Sequence, residues 1–282
     1  MEKTSSTDAA IQIQNVWKIF GNISNEALEA IQNKNISKQE ALEKFNSVVG
    51  VSNVSFDVKK GEIFCVMGLS GSGKSTIANL LVGLLAPSLG KILLEGKPLP
   101  LLAKKRTFEQ RRRVQMIFQD PLSSLNPRQR IEKIITQPLR AFFGISPRDA
   151  RDQAAKLLED LELPLEFLEQ FPRQLSGGQQ QRVAIARAFA AQPDLILCDE
   201  ITSALDVSVQ AHVLSLLTAI QRKTGTACLL ISHDLGVVRE VAHRCVVLQE
   251  GFVVEYDTTE KVFTDSKHPY TCRLLAAASR HE

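Results

Sequence analysis

Apolar and polar residues alternate along two N-terminal segments, residues 11–20 and 51–58, which also contain many residues that favour β-structure. A period of two is typical of strands that are buried on one face only. Both segments are therefore predicted to be half-buried strands of an antiparallel sheet. The stretch from Ser24 to Phe45 is rich in Glu, Lys, Ala and Gln, with apolar residues at helical spacing. It predicts an amphipathic helical insertion over residues 24–46, and the pattern does not indicate its role.

Other segments are almost wholly apolar, as strands buried on both faces are. The first, Ile63 to Met67, leads directly into a glycine-rich loop. The others are Val114 to Phe118, Leu195 to Cys198, Cys228 to Ile231, Val246 to Leu248 and, after a turn, Phe252 to Val254. Because helical segments separate most of these strands, they are predicted to form a mostly parallel sheet with right-handed crossovers.

Apolar residues at helical spacing fill the region from about Ile131 to Leu168 without an intervening strand pattern. One helical face is formed by Ala150, Ala154, Leu157, Leu158 and Leu161. This pattern predicts a helical lobe inserted into the α/β core. A later amphipathic helix carries Val209, Val213, Leu216, Leu217 and Ile220. It is predicted to end near Lys223, because Gly225 follows as a C-terminal cap.

Composition narrows the class of protein. The chain has 282 residues and a formal net charge of +3, with acidic and basic residues interspersed. This charge distribution does not indicate a nucleic-acid-binding surface. The sequence has no apolar stretch of 18 residues, and residues 1–10 are polar, so neither a membrane span nor a signal peptide is predicted. The five cysteines are far apart and lack the spacing of a zinc site.

The stretch from Gly68 to Ser75, here called the phosphate loop, fits the pattern GxxxxGK[ST] between a strand and a helix predicted over Thr76 to Leu85. Glycines allow backbone N–H groups to converge on phosphates, and a helix N-terminus adds about half a positive charge. Lys74 is predicted to reach the β- and γ-phosphates of a bound nucleotide, and Ser75 to hold Mg²⁺. Such loops occur in many NTPases, so the loop alone predicts nucleotide binding and no more. The predicted ATP-binding residues of this region are Gly68, Ser70, Gly71, Ser72, Gly73, Lys74, Ser75 and Thr76.

A second glycine-containing helix start, here called the signature, consists of Leu175, Ser176, Gly177, Gly178 and Gln179. Its backbone forms an anion-binding site that is redundant in a chain that already has a phosphate loop. The run LSGGQ resembles the signature of ABC ATPases. The resemblance implies that two subunits pack head to tail, so that the signature of one contacts the ATP held by the phosphate loop of the other.

An apolar strand that ends in two acids, Asp199 and Glu200, comes shortly after the signature. Buried strands avoid acids unless their charge is needed. The resemblance implies that Asp199 orients Mg²⁺, directly or through water, and that Glu200 polarises the attacking water.

Further positions match the ABC family pattern. Gln119 corresponds to the glutamine that senses Mg²⁺ and the γ-phosphate, and His233 to the histidine that contacts the γ-phosphate. The D-loop, which communicates between the two ATP sites in the family, corresponds to Ser203, Ala204, Leu205 and Asp206. Phe20 is predicted to stack on the adenine, with Trp17 as the competing candidate.

The predicted fold is therefore an α/β P-loop NTPase core of the ABC ATPase type. It has a mostly parallel sheet, an antiparallel β subdomain and an inserted helical subdomain over about 120–182. The ATPase domain is predicted to span residues 11–265 and to be followed by a short C-terminal tail, 266–282.

Two parts of the chain resemble different importers. Residues 119–128, 202–211 and the HPYT segment 268–271 look like ATPases of dipeptide, oligopeptide and nickel importers. Residues 18–21, the helical insertion and residues 61–76 are similar to ATPases of glycine betaine and proline importers. The C-terminal part is given more weight, because the helical lobe of the family faces the permease and the tail is typical of the peptide branch.

The resemblance implies a cytoplasmic ATPase, peripheral on the inner face of the cell membrane, that powers peptide or nickel import with ATP and Mg²⁺. Its implied partners are an identical or different second ABC ATPase subunit, an integral membrane permease and, indirectly, an extracytoplasmic solute-binding protein, with no nucleic acid. The alternatives are a betaine or proline importer subunit, a soluble ABC ATPase acting on nucleic acid or ribosomes, and a regulatory module without useful turnover.

Overall fold

The structure, a computed structural model, describes residues 8–21, 38–203 and 205–278. Its strands are β1 (Ala9–Phe20), β2 (Val48–Lys59), β3 (Ile63–Met67), β4 (Leu89–Leu94), β5 (Lys97–Pro98), β6 (Val114–Ile117), β7 (Leu195–Asp199), β8 (Ala227–Ile231), β9 (Arg244–Gln249) and β10 (Phe252–Thr258). Its helices are α1 (Lys38–Phe45), α2 (Lys74–Val82), α3 (Phe108–Arg113), α4 (Pro121–Ser124), α5 (Ile131–Phe143), α6 (Pro147–Asp160), α7 (Gly177–Ala190), α8 (Val207–Thr224), α9 (Leu235–Val241), α10 (Thr259–Thr264) and α11 (Pro269–Ala278).

The central sheet has the strand order β10-β9-β3-β8-β7-β6. Strands β3 and β6 to β9 are parallel, and only β10 runs antiparallel at the edge. The α/β class and the mostly parallel sheet are therefore confirmed. Each predicted apolar run lies in one of these strands, except that β6 ends at Ile117 and leaves out Phe118.

A separate antiparallel sheet has the order β2-β1-β4-β5. The two alternating segments of the sequence form its strands β1 and β2, as predicted. Strands β4 and β5 were not predicted, because the run before Leu94 is short and carries no clear alternation. The helical insertion is described only from Lys38, where α1 begins, and its remainder lies outside the described residues.

Two hydrophobic clusters share the central sheet, and alternate side chains of β3 enter different clusters. Cys65 and Met67 pack with the helices that cover one face of the sheet, whereas Phe64 and Val66 pack with the antiparallel sheet and α2. This arrangement explains why β3 has no polar position. The packing of β3 on both faces also holds the C-terminal end of this strand in place, and the phosphate loop begins there.

Arg244 in β9 ties the two sheets together. Its Nε donates a 2.6 Å hydrogen bond to Glu62 Oε1, and one Nη donates a 2.9 Å bond to Asp57 Oδ2 at the end of β2. Burial raises the pKa of Asp57, but the hydrogen bond and the charge of Arg244 outweigh it and hold the pKa below its usual value. The guanidinium also lies 5.5 Å from the centre of the Phe64 ring.

Only helical elements lie between Pro121 and Ala190, in the region where the helical lobe was expected. Ala150, Ala154 and Leu158 of α6 are buried, as the apolar face predicted. The prediction for α2 was wrong at both ends, because the helix begins at Lys74 and stops at Val82. Gly83, in a left-handed conformation with φ of 81°, ends α2 even though the apolar run continues. The predicted tail contains α11, and among the described residues no helix is long and apolar enough to span a membrane.

Candidate functional site

The carboxyl ends of β3, β8 and β7 lie side by side, because these strands are neighbours and parallel. Ligands of open α/β sheets bind at this edge. A cavity of about 490 Å³ opens there. The phosphate loop and the start of α2 contribute Ser70, Gly71, Gly73, Lys74, Ser75 and Thr76 to its lining. Phe20, Glu200 and His233 complete the predicted residues that line the same cavity.

The phosphate loop can adopt its path only with glycine at two positions. Gly68 has φ of +144°, and a Cβ there would lie 2.3 Å from the carbonyl oxygen of Leu248. Gly73 has φ of +109°, and a Cβ there would lie 2.8 Å from the carbonyl oxygen of Gly50. No side chain of the described residues caps the helix that follows, so the N–H groups of its first turn are available to an anion. Gly68 and Ser72 shape the loop but do not line the cavity.

Lys74 is buried at the base of the loop, with 6% of its surface exposed. Its Nζ donates hydrogen bonds to the carbonyl oxygens of Gly68 (2.7 Å) and Leu69 (3.0 Å). Burial lowers the pKa of Lys74, while the charges of Glu200 and Asp199 act in the opposite direction. The pKa of Asp199 is raised by burial and by Glu200, against the effect of Lys74. The pKa values of Lys74 and Asp199 therefore each depend on the charge of the other.

Glu200 leaves the sheet in a left-handed conformation, with φ of 46°. This conformation is uncommon for a residue with a side chain, and its surroundings must hold it. Its N–H donates a 3.0 Å hydrogen bond to the carbonyl oxygen of Ile231 in β8. Its carboxylate Oε1 lies 3.3 Å from His233 Nδ1. Two residues 33 positions apart in sequence thus meet at the cavity.

Gln119 does not line the cavity but connects to Glu200 through Ser203. Its Nε2 donates a 3.1 Å hydrogen bond to Ser203 Oγ, and this hydroxyl donates a 2.9 Å bond to the carbonyl oxygen of Glu200. The sequence pattern assigned Gln119 and the D-loop to separate roles and gave no sign of this link. In the remaining D-loop, Asp206 is the N-cap residue of α8 and Ala204 lies outside the described residues.

The structure distinguishes the two aromatic candidates for adenine. Trp17 is buried, with 9% of its surface exposed, whereas Phe20 is 37% exposed and lies at the cavity. Val48, Val49 and Gly50 of β2 also line the cavity, and sequence reasoning missed them. Gly50 gave a usable signal, because an isolated glycine in a strand often marks a close approach. A Cβ at Gly50 would lie 2.7 Å from the Phe20 ring.

The signature lies apart from this cavity. Ser176 is the N-cap residue of α7: its Oγ accepts a 3.4 Å hydrogen bond from Gln179 N, and its own N–H donates a 2.8 Å bond to Gln179 Oε1. This reciprocal pair is a capping box. Leu175 is buried. A Cβ at Gly177 would lie 3.5 Å from Leu205 of the D-loop, and a Cβ at Gly178 would lie 2.5 Å from Val209 in α8. The chain alone does not bring the signature and the phosphate loop together.

The cavity offers the groups that a polyphosphate needs: the N–H groups of a helix start without a side-chain cap, the ammonium of Lys74 and the imidazole of His233. Ser75 lines the cavity, and Asp199 ends β7 directly before Glu200 without lining it. Both carry oxygen atoms of the kind that Mg²⁺ prefers. Among the described residues, no group of three or more His, Cys, Asp or Glu side chains could hold a metal ion without help. A magnesium ion would therefore need oxygens from a bound phosphate as well, and the donor set fits that arrangement.

Comparisons with known proteins agree with the motifs. The sequence profile described as "ABC transporter" matches residues 51–203. The chain is 47% identical over 231 residues to a probable peptide ABC transporter ATP-binding protein of Sinorhizobium fredii. That alignment covers 82% of this chain and 65% of the relative, so the chain matches slightly less than two thirds of that protein's length. An oligopeptide transport ATP-binding protein of Lactococcus lactis is 44% identical over 82% of this chain and 73% of its own.

Solved structures show the same fold. A dimeric ATP-binding cassette in a post-hydrolysis state, bound to ADP and inorganic phosphate, superposes with a TM-score of 0.70 at 28% identity. The match covers 88% of this chain and 98% of that one. A cassette of a transporter complex from Clostridium perfringens gives a TM-score of 0.75 at 22% identity, with 92% of both chains covered.

Proposed function

Because this chain belongs to the ABC transporter ATP-binding family, we propose that it is the ATP-hydrolysing subunit of an importer for peptides. The observation that carries the proposal is the convergence of the phosphate loop, Glu200 and His233 on one cavity. The peptide class is taken from the relatives of Sinorhizobium and Lactococcus, which are described as peptide and oligopeptide transport ATP-binding proteins. This similarity favours peptide uptake over the glycine betaine class that the N-terminal motifs suggested.

In the proposed site, the N–H groups at the start of α2 and the ammonium of Lys74 bind the phosphates of ATP, and Phe20 stacks on the adenine. Lys74 exchanges its contacts with Gly68 and Leu69 for contacts with phosphate oxygens. Ser75 and Asp199 hold Mg²⁺, which supplies charge neutralisation on the phosphates, and Gln119 senses the occupied site.

Hydrolysis in this proposal proceeds by attack of water on the γ-phosphate, which releases ADP and inorganic phosphate. Glu200 accepts a hydrogen bond from the attacking water and polarises it. His233 lies 3.3 Å from the Glu200 carboxylate and is close enough to orient it. In this proposal His233 also contacts the γ-phosphate. The hydrogen-bonded path from Gln119 through Ser203 to Glu200 supports a link between phosphate sensing and hydrolysis.

The signature serves a second nucleotide in this proposal. Two ATPase subunits, identical or different, pack head to tail, and the signature of each completes the ATP site of the other. The assembly works on a membrane permease from the cytoplasmic side, and an extracytoplasmic solute-binding protein delivers the peptide. The distance of the signature from the cavity of its own chain supports this arrangement.

Replacement of Glu200 tests the hydrolytic role. Glu200→Gln should retain ATP binding and lower turnover by roughly 10²- to 10⁴-fold, the range for loss of a general base. ATP hydrolysis and ATP affinity are measured on the same preparation. Undiminished hydrolysis would refute the assignment of Glu200.

The same variant tests the partners. Tagged Glu200→Gln chains are purified from solubilised membranes with ATP present, and the stoichiometric partners are identified by mass spectrometry. Recovery of peptide-type permeases supports the proposal. Recovery of a betaine-type permease would replace the substrate class, and recovery of only soluble or nucleic-acid-bound proteins would overturn the transport role.

A further inference from the structure

A hydrogen bond joins the phosphate loop to the C-terminal helix. The backbone N–H of Leu69, the second residue of the loop, donates a 3.0 Å hydrogen bond to the hydroxyl of Tyr270 in α11. The two residues are 201 positions apart in sequence. Tyr270 belongs to the HPYT segment, for which neither the cavity nor the hydrolytic groups give a role. The contact therefore connects a segment of unassigned function to the nucleotide site.

The backbone of Leu69 is held from two sides. Its N–H donates to Tyr270, and its carbonyl oxygen accepts hydrogen bonds from Lys74 Nζ (3.0 Å) and from the backbone N–H of Ser72 (3.1 Å). The Leu69 side chain is 59% exposed and adds little packing that could fix the residue. Lys74 must give up its contact with Leu69 to reach a phosphate, whereas Tyr270 need not move. The Tyr270 hydrogen bond is thus the anchor from outside the loop that can persist when a nucleotide binds, beside the local bond from Ser72 N–H.

The hydroxyl of Tyr270 is itself held firmly in place. The Tyr270 ring is 9% exposed and belongs to the larger hydrophobic cluster, against which Leu274 and Leu275 of the same helix also pack. At the start of α11, Tyr270 N–H donates a 3.2 Å hydrogen bond to His268 Nδ1. Lys267 N–H donates a 3.0 Å bond to Glu255 Oε1 in β10. A hydroxyl on such a support can position a loop.

We propose that Tyr270 is a positioning residue, whose hydroxyl holds the phosphate loop in the conformation that receives the nucleotide. The inference rests on the proposed function, in which ATP binds at this loop. Without the hydroxyl, the free loop spends less time in the receptive conformation. The apparent dissociation constant equals the intrinsic constant divided by the fraction of chains in the receptive conformation, so it rises as that fraction falls. Once bound, the phosphates hold the loop themselves, so the hydrolytic step changes little.

Tyr270→Phe tests the proposal because it removes the hydroxyl and keeps the buried ring. On the full chain, the dissociation constant for MgADP and the KM for ATP should rise about 3- to 10-fold, the effect of losing one neutral hydrogen bond. The kcat should stay within about two-fold, as expected when an interaction contributes equally to ground and transition states. Hydrogen exchange of the Leu69 amide in the nucleotide-free chain should accelerate about ten-fold, because its acceptor is lost.

Thr271→Val is the matched control. Thr271 is fully buried in the same helix turn, and its hydroxyl has no hydrogen-bond partner among the described residues. Its loss should leave nucleotide affinity and Leu69 exchange unchanged. An unchanged affinity in Tyr270→Phe, or a fall in kcat at constant KM, would overturn the positioning role. A parent chain that binds no nucleotide would instead refute the proposed function, and the exchange of Leu69 would still decide whether Tyr270 holds the loop.

Discussion

Helices α2 and α7 both begin in glycine-rich sequence, yet their N-termini are built in opposite ways. The residue before α2 is Gly73, in a left-handed conformation and without a side-chain cap. The residue before α7 is Ser176, which forms a capping box with Gln179. An uncapped helix start leaves N–H groups unpaired until an anion arrives, whereas a capped start is stable alone. The phosphate loop is therefore completed by its ligand, and the signature is a preformed surface.

The largest expected effect is a loss of ATP hydrolysis, and it tests whether the two helix starts of one chain bind different nucleotides. Lys74→Ala and Ser176→Arg should each lower ATP hydrolysis by about 100-fold or more, because each removes stabilisation of the transferred phosphoryl group. In a head-to-tail pair of these two variants, one site keeps both an intact phosphate loop and an intact signature. An equimolar mixture should therefore hydrolyse ATP well above either variant alone.

Nucleotide binding by the separate variants provides the control for this mixing experiment. Ser176→Arg should still bind ATP through its own phosphate loop, and Lys74→Ala should not. If the mixture is as inactive as its components, the two helix starts do not belong to different nucleotides in paired chains.

Replacing one glycine by alanine at each helix start should lower the free energy of unfolding by different amounts. Gly73→Ala should lower the free energy of unfolding by about 1–3 kcal/mol, because alanine is strained at φ of +109° and its Cβ would meet Gly50. Gly177→Ala places a Cβ at an ordinary 3.5 Å from Leu205 and should stay within about 1 kcal/mol of the parent. Urea denaturation measures both. Equal losses would show that the loop is no more constrained than the signature.

The smallest effect distinguishes a cap from a ligand contact. Ser176→Ala should lower the free energy of unfolding by about 1 kcal/mol through loss of the cap, and Thr107→Ala should do the same at the similar capping box of α3. Only Ser176→Ala should also reduce ATP hydrolysis. A parallel reduction in Thr107→Ala would indicate that stability, and not the signature, limits activity.

Buried strands and the phosphate loop could be predicted from sequence, because both depend on local composition. The run Ile63 to Met67 is a strand with the predicted bounds, and Gly225 ends α8 as predicted. Strand β4 could not be predicted, since its place depends on pairing with β1, far away in the sequence. The apolar pattern predicted that α2 continues to Leu85, but the left-handed Gly83 ends the helix at Val82.

The sequence predicted which residues belong to the candidate site better than it predicted the hydrogen bonds that join them. Glu200 and His233 were expected at the cavity on their motifs, and the structure brings them together. The contacts of Ser203 with Gln119 and of Tyr270 with Leu69 join residues 84 and 201 positions apart. Such contacts follow from tertiary packing and leave no periodic signal in the sequence.

Strand β3 has a consequence for how the protein unfolds. Because its alternate side chains belong to the two hydrophobic clusters, neither cluster can lose its packing without disturbing the other. Heating should therefore melt the antiparallel sheet and the central sheet in one cooperative transition, with equal calorimetric and van't Hoff enthalpies. The strand that ends in the phosphate loop thus also makes the two layers a single folding unit.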